Sequence, residues 1–540
     1  MVSLWVRKLC VLLSLLLHLA AAQDLLATLD YGTFQGAYSA KYNISYWQKI
    51  PFASPPVGQN RFAGPKPPQP ITNGIYDSSQ PFDMCPQRTV NGSEDCLYLG
   101  LYSRPWTKGQ PLRPVVVVFY GGGFIQGSAS FTLPPSAYPI LNVSDTSSDI
   151  VFIYPNYRTN AFGLLAGAEV LNDPDSDTNA GLLDQRAAIA WANRYAAHFG
   201  GNPDDVSIWG QSAGGGSVVA QVIADQDFDG GKSRGARFTK ALASSPYWAK
   251  TYDADSPEAQ WNYDTLVNRT GCGAARDTLA CLKGLDVQTI RDASLYITTT
   301  HVYNTSSYTW APVIDGKFLP RRLTVAVQEG RVNSKVGFGM FNTHEGETFI
   351  PGGLGQAHDS GSPPFNSSDA SFDGWLRGFL PGLRRCELEA VKTYYPKSGS
   401  SELIPSYEGW YTATGLIFRD VVLACPAYWM AGAQPGGSWL GEYSIAPAKH
   451  ASDTYWWNSV NVAQQTDPFH YDGYTGAFAS FFVTGDPNKL KLTNSSVLGV
   501  PDLKTGKEFN INEVGFANVD IAQLEKRCGL WKKLAPRIPI

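Results

Sequence analysis

Asp205-Val206-Ser207-Ile208-Trp209-Gly210-Gln211-Ser212-Ala213-Gly214-Gly215-Gly216-Ser217-Val218-Val219-Ala220-Gln221-Val222 reads as a buried strand, a serine between glycines, and the start of a buried helix. A serine in Gly-x-Ser-x-Gly sits on a strained strand-to-helix turn, where small neighbours let its hydroxyl stand clear of the backbone. The five-residue pattern is cheap, and Gly231-Lys232-Ser233-Arg234-Gly235 also matches it. Context separates the two. Ser233 lies between Lys232 and Arg234 in a polar stretch and reads as a surface loop, whereas Ser212 has the strand before it and the apolar run after it. Ser212 is therefore the expected nucleophile.

Outward from Ser212, further short apolar runs read as buried strands: Pro114 to Phe119, Asp149 to Tyr154 and Thr239 to Ala243, with Asp205 to Trp209 as the third in order. A helix fits between about Asn179 and His198. Strands alternating with helices predict an α/β chain with a mostly parallel central sheet and helices on both faces. There is no internal repeat. Pro351 to Ala370 is rich in Gly, Ser and Pro and reads as an exposed loop, one of several long insertions in a single domain. Tyr120-Gly121-Gly122-Gly123-Phe124 directly follows the first strand of this set, and no Gly-Lys-Ser/Thr follows it, which excludes a phosphate-binding P-loop. A serine attacking an ester makes an oxyanion that needs backbone N–H donors in a dry site. Gly122, Gly123 and Ala213 are the expected donors.

The hydrolase order places an acid and then a histidine after the serine. His358 lies in the Gly/Ser/Pro loop, His301 is close to Asn304, and His344 is next to Glu345, which leaves His450 and His470. His450 follows the strand-like Trp439 to Ile445 and is preferred by pattern. His470 precedes the helix-like Gly476 to Val483. Glu345 follows the strand-like Val336 to Phe341, but pattern alone does not separate it from other carboxylates.

Composition sets the class. The 540 residues are 43% hydrophobic, 13% aromatic and only 17% charged, which excludes a disordered chain. A net charge of −4 gives no basic footprint for nucleic acid. Residues 1–22 have the layout of a secretory signal peptide: Arg7 and Lys8, the apolar Leu9 to Leu19, and Ala20-Ala21-Ala22 before Gln23. The catalytic domain is then 23–540, with no membrane span expected. Seven cysteines remain beyond Cys10. Cys85/Cys96 and Cys272/Cys281 are near enough in sequence to close small loops, and one of Cys386, Cys425 and Cys528 is left over. Sequons at Asn43, Asn91, Asn142, Asn268, Asn304, Asn366 and Asn494 predict a glycosylated surface, whose sugars supply hydration that the low charge does not.

From about Gly32 to Leu530 the chain resembles the type-B carboxylesterase/cholinesterase family, fungal secreted esterases and lipases included. The resemblance rests on Ser93-Glu94-Asp95-Cys96-Leu97-Tyr98-Leu99, Tyr120 to Phe124, Asn156-Tyr157-Arg158, Asn179 to Arg186, Phe199 to Pro203, Gly210 to Gly215, Ala311 to Gly316 and Thr484 to Asn488. It implies an α/β-hydrolase fold, an acid at Glu345 and a histidine at His450. It also implies the pairs Cys85–Cys96, Cys272–Cys281 and Cys425–Cys528, with Cys386 free as a small buried hydrophobe. Asp453 and Ser245 resemble positions that support the histidine, and Trp248 resembles an acyl-pocket aromatic. Most relatives have Glu at Gln211 and Gly at Ala451. The Cys85–Cys96 loop is short and has no Trp, which argues against a choline ester and against a lid opened at a lipid surface.

The expectation is a secreted serine esterase acting on a small-molecule ester through Ser212, His450 and Glu345, with no cofactor and no metal. Three rival readings follow: a triglyceride lipase, an esterase or acyl transferase for a secondary metabolite, and a non-catalytic binding member of the family.

Overall fold

A computed structural model of the protein describes residues 25–130, 132–143, 149–225, 228, 237–305, 310–351, 366–490 and 499–540. The expected signal peptide, the second serine motif at 231–235, His358 and Asn494 lie outside the described residues, as do the side chains of His301 and Asn304.

The apolar runs become one eleven-stranded sheet. In chain order its strands are β1 (Ala37–Ser39), β2 (Ile44–Pro51), β3 (Tyr98–Ser103), β4 (Arg113–Phe119), β5 (Val151–Pro155), β6 (Gly201–Gln211), β7 (Lys240–Ser244), β8 (Val336–Asn342), β9 (Gly437–Tyr443), β10 (Lys507–Asn512) and β11 (Gly515–Asp520). They lie in the order β11-β10-β9-β8-β7-β6-β4-β5-β3-β2-β1. The pairings from β5 through β4, β6, β7, β8 and β9 to β10 are all parallel. Antiparallel strands close both edges. Chain order jumps at β4 and β5, since β5 lies between β3 and β4, and β4 lies between β5 and β6.

The central strands read as unbroken apolar runs because both of their faces are covered. Val115, Val117 and Ile208 face one core, while Val116 and Trp209 face the other. Helices α1 (Ala180–Tyr195) and α2 (Ala213–Ile223) pack on the first face through Leu182, Ile189, Val218 and Val222. Phe478, Phe481 and Phe482 of a later helix, Gly476–Thr484, pack on the second. The matched blocks also hold the core together: Arg158 clamps Asp184 with Nε–Oδ2 2.9 Å and Nη2–Oδ1 2.7 Å, both side chains buried. The match to the α/β-hydrolase arrangement is complete at the centre of the sheet, where the parallel strands alternate with helices on both faces.

Disulfides join Cys85 to Cys96, Cys272 to Cys281 and Cys425 to Cys528. Cys386 is free but exposed, which corrects the expectation of a buried thiol. It lies on the helix Arg385–Tyr394, whose buried residues are Leu388 and Val391, so the helical phase turns residue 386 to solvent. Among the sequons, Asn43, Asn91, Asn142, Asn268 and Asn366 are exposed. Among the described residues no helix is long and apolar enough to cross a membrane.

Candidate active site

Parallel strands present their carboxyl ends on one edge of the sheet, and three of those ends carry the candidate residues. Ser212 ends β6. Its backbone stands at φ 58 and ψ −126, a conformation that L-residues rarely adopt. The turn is pinned on three sides: Ser212 N–H donates to Ser244 O, and Ser212 O accepts from the N–H groups of Gly216 and Tyr247. It needs glycine at 214, where a Cβ would lie 2.0 Å from Phe119 O. Glu345 follows β8, and His450 lies in the loop after β9.

The structure brings the three together in a row. His450 Nε2 is 2.8 Å from Ser212 Oγ, and His450 Nδ1 is 2.9 Å from Glu345 Oε2. Glu345 is fully buried, Ser212 is 8% exposed, and the His450 ring is 10% exposed. A buried carboxylate on Nδ1 fixes the tautomer that leaves Nε2 free to accept from the serine. His470 is elsewhere, with Nδ1 held by Asp467 and Nε2 by Asn512 O.

The glycine loop lies against this row. A Cβ on Gly121 would come 3.0 Å from Ser212 Cβ, and Gly122 at φ 120 would put one 2.2 Å from Gln126 O, so side chains are excluded there. The N–H groups of Gly122, Gly123 and Ala213 donate to no acceptor among the described residues.

Four supporting residues were not read from the sequence. Asn342, at the end of β8 and buried, donates Nδ2 to Ser245 Oγ (3.0 Å) and Asp453 Oδ1 (3.2 Å). Ser245 and Asp453 therefore meet through Asn342, and neither bonds His450 directly. Burial first, and then hydrogen bonds from Asn342, Tyr474 and Trp457 against the charge of Glu345, leave the Asp453 carboxyl above its ordinary range. Phe349 sets its ring edge-on to the His450 ring at 4.9 Å and stacks on Phe418. Thr348 Oγ1 accepts the His450 N–H at 3.3 Å. Trp248 has no exposed surface, whereas Tyr247 packs its ring on Phe349, the ring that meets His450. Ala451 stands at φ 70, a left-handed conformation that glycine adopts more freely than alanine.

The fourth is Glu347. Its Oε2 holds Lys449 Nζ, and its Oε1 is 3.0 Å from His344 Nδ1. Burial pushes this carboxyl up, but hydrogen bonds from His344 and Lys449 outweigh it and hold it below the ordinary range. Glu345–His450 and Glu347–Lys449 thus cross-link the same two loops, two positions apart on one and adjacent on the other. Glu347→Gln is expected to cut kcat about tenfold with little change in KM, because a loosened loop misplaces His450 without touching the substrate. Steady-state kinetics on a soluble nitrophenyl ester would decide it, and an unchanged kcat would refute the positioning role.

A model of the carboxylesterase family matches residues 23–515. The chain is 33% identical over 333 residues to a secreted triacylglycerol lipase of Gibberella zeae, covering 56% of this chain and 54% of that one. It is 27% identical over 529 residues to lipase 4 of Diutina rugosa, covering 90% and 91%, and 29% identical over 406 residues to mouse cholinesterase, covering 70% and 62%. The match spans about half the length of the Gibberella lipase. A crystal structure of Aspergillus niger EstA superposes with a TM-score of 0.79 at 24% identity, over 95% of this chain and 99% of that one.

Proposed function

The chain belongs to the carboxylesterase family, and from that membership we infer that it is a secreted serine esterase in which Ser212, His450 and Glu345 carry the reaction. The observation that carries this reading is the continuous row from Ser212 Oγ through His450 to Glu345 at 2.8 and 2.9 Å, on a serine held at positive φ. His450 takes the proton of Ser212 as the hydroxyl attacks the acyl carbon, and Glu345 orients the ring and stabilises the imidazolium. Gly122, Gly123 and Ala213 receive the oxyanion. His450 then returns the proton to the leaving alcohol, and water releases the acid by the reverse exchange. Residues 1–22 direct secretion, and the exposed sequons and three disulfides suit that compartment.

A nitrophenyl phosphonate tests the reading directly. It is expected to inactivate the protein with one phosphonyl group per chain, mapped by peptide mass to Ser212. Label on another residue, or activity surviving full labelling, would sink it. A lipase reading is favoured by two of these relatives, the triacylglycerol lipase of Gibberella zeae and lipase 4 of Diutina rugosa. A jump in rate once substrate exceeds its solubility would favour it.

A further inference from the structure

Thr454 to Thr466 are thirteen residues without a charge, just after the loop that carries His450. Three of them, Tyr455, Val460 and Val462, are exposed, and Val462 is 70% open to solvent. Phe469 follows, also exposed. Val514 joins them from another part of the chain, at the tip of the hairpin between β10 and β11, and is 94% exposed. Among the described residues fourteen large apolar side chains are exposed, and these five gather at one edge of the sheet.

Hydrogen bonds and ring contacts put them there. Trp456 Nε1 donates to Tyr443 OH at 3.2 Å, at the carboxyl end of β9, and His470 Nε2 is 2.8 Å from Asn512 O, at the carboxyl end of β10. The His470 ring meets both Trp456 and Phe516, at 5.8 and 5.5 Å. Phe469 packs on Phe516 at 5.2 Å, and a Cβ on Gly515 would come 3.0 Å from its ring, beside Val514. His470, which has no part in the catalytic row, thus ties the two groups of tips together. The loop is braced from within: buried Gln464 donates Nε2 to Trp456 O and Ser459 O, and Asn461 donates Nδ2 to Tyr455 O. Ser212, Glu345 and His450 follow strand ends on this same edge, so whatever meets the tips also meets the edge that carries the reaction.

Charge narrows what that is. No Lys or Arg occurs at 450–488 or 508–525, and Lys449 is held by Glu347. The exposed charges beside the tips are acidic: Asp467, paired with His470, and Glu513, next to Val514. An anionic membrane would be repelled. A second copy or another protein fits poorly, because the five side chains stand on separate turns and expose on the order of 500 Å² together, against the roughly 800 Å² that each partner of a stable interface buries. Separate apolar tips suit a soft phase that closes around each one. We propose that this rim adsorbs the enzyme to a neutral lipid surface, that of a triglyceride droplet, and so brings Ser212 to esters held in it. The proposal deepens the esterase reading and rests on it for the cleavage step alone. The tips are already exposed, so adsorption needs no lid to open, in keeping with the short Cys85–Cys96 loop.

Flotation of the full chain with a triolein emulsion coated in phosphatidylcholine tests the rim, with phosphatidylglycerol vesicles as the anionic counterpart. Wild type and Ser212→Ala are both expected to float with the neutral emulsion and to bind the anionic vesicles less. Val462→Asp and Val514→Asp should each lower the partition constant about tenfold or more, since an apolar contact is lost and a carboxylate would have to be desolvated. Both positions are exposed, so turnover of a soluble nitrophenyl ester should stay within about twofold, while hydrolysis of the emulsion falls in step with adsorption. Ile75→Asp, at an exposed position on a separate three-stranded sheet, should change neither. No flotation of wild type, no loss in the two valine variants, an equal loss in Ile75→Asp, or a preference for the anionic vesicles would each overturn the proposal. So would a wild-type dimer that Val514→Asp dissolves, which would give the rim to a second copy. Adsorption of Ser212→Ala is read without catalysis, so the two levels separate: failure to float sinks the rim alone, and failure of wild type to cut any soluble ester sinks the esterase reading alone.

Discussion

Ser212→Ala is expected to lower turnover of a soluble nitrophenyl ester by about 10⁵-fold to 10⁶-fold and to leave the fold in place. The size of the loss follows from the geometry. Among the described residues no other hydroxyl bonds to His450 Nε2, so no neighbour can substitute as nucleophile. What remains is water attacking a carbonyl still held by the glycine-loop donors, which sustains only a small residual rate. Stability should barely move. The variant loses one hydrogen bond worth about 1 kcal/mol, opens almost no cavity, and keeps the backbone at 212 that alanine finds as strained as serine does. A thermal melt alongside the kinetics separates chemistry from unfolding. Retention of more than about a hundredth of wild-type turnover by the folded variant would overturn the nucleophile assignment.

What could be read from the sequence is what depends on neighbours in the chain. The β-branched runs become the central strands within a few residues of their expected bounds, because both faces of a parallel sheet are buried and the run is continuous. The turn at Ser212 is local too, since the strand, glycines and helix that make it are contiguous. Glu345 is a different case. It meets His450 across 105 positions, and only the order of strands in the sheet makes them neighbours. Asn342 and Phe349 were missed for the same reason, since an amide at a strand end and a ring in the helical turn after it carry no mark of the partner they will meet. Cys386 was misread because a lone cysteine resembles a core residue, whereas the phase set by Leu388 and Val391 points it outward. Glu442 does carry a mark in the sequence: a carboxylate inside the apolar strand Gly437–Tyr443 has to be buried.

Arg419→Met is expected to cost about 3–5 kcal/mol of stability, the usual loss when one partner leaves a buried charge network. Arg419 is fully buried at the end of the helix Trp410–Arg419. It bonds Glu402 at 2.7 Å, Asp420 at 3.0 Å and Glu442 at 3.1 Å. Arg527 bonds Glu402 and Asp420 from the other side at 2.8 and 2.5 Å. Beside them lies Glu508, to whose oxygens no other donor comes within bonding distance among the described residues. Burial first, then repulsion from neighbouring carboxylates, holds Glu442 and Glu508 above the ordinary carboxyl range; burial also opposes ionisation of Glu402, but the two guanidinium groups win and hold it below. Met fills the space of the Arg stem but leaves four carboxyl groups with one cation. The sign of the pH effect follows. Groups held high lose stability as pH rises from their unfolded value near 4.5, because the unfolded chain releases protons that the folded one keeps. Without Arg419 the Glu442 carboxyl rises further and the depression of Glu402 shrinks, and both changes make the penalty grow towards neutral pH. Urea unfolding should therefore show the gap between wild type and variant largest near pH 7 and smaller near pH 4. Arg419 Nη1 also donates to Thr343 O, two residues before Glu345, so kcat should fall with stability. A gap independent of pH would mean that the loss is one of packing and not of charge.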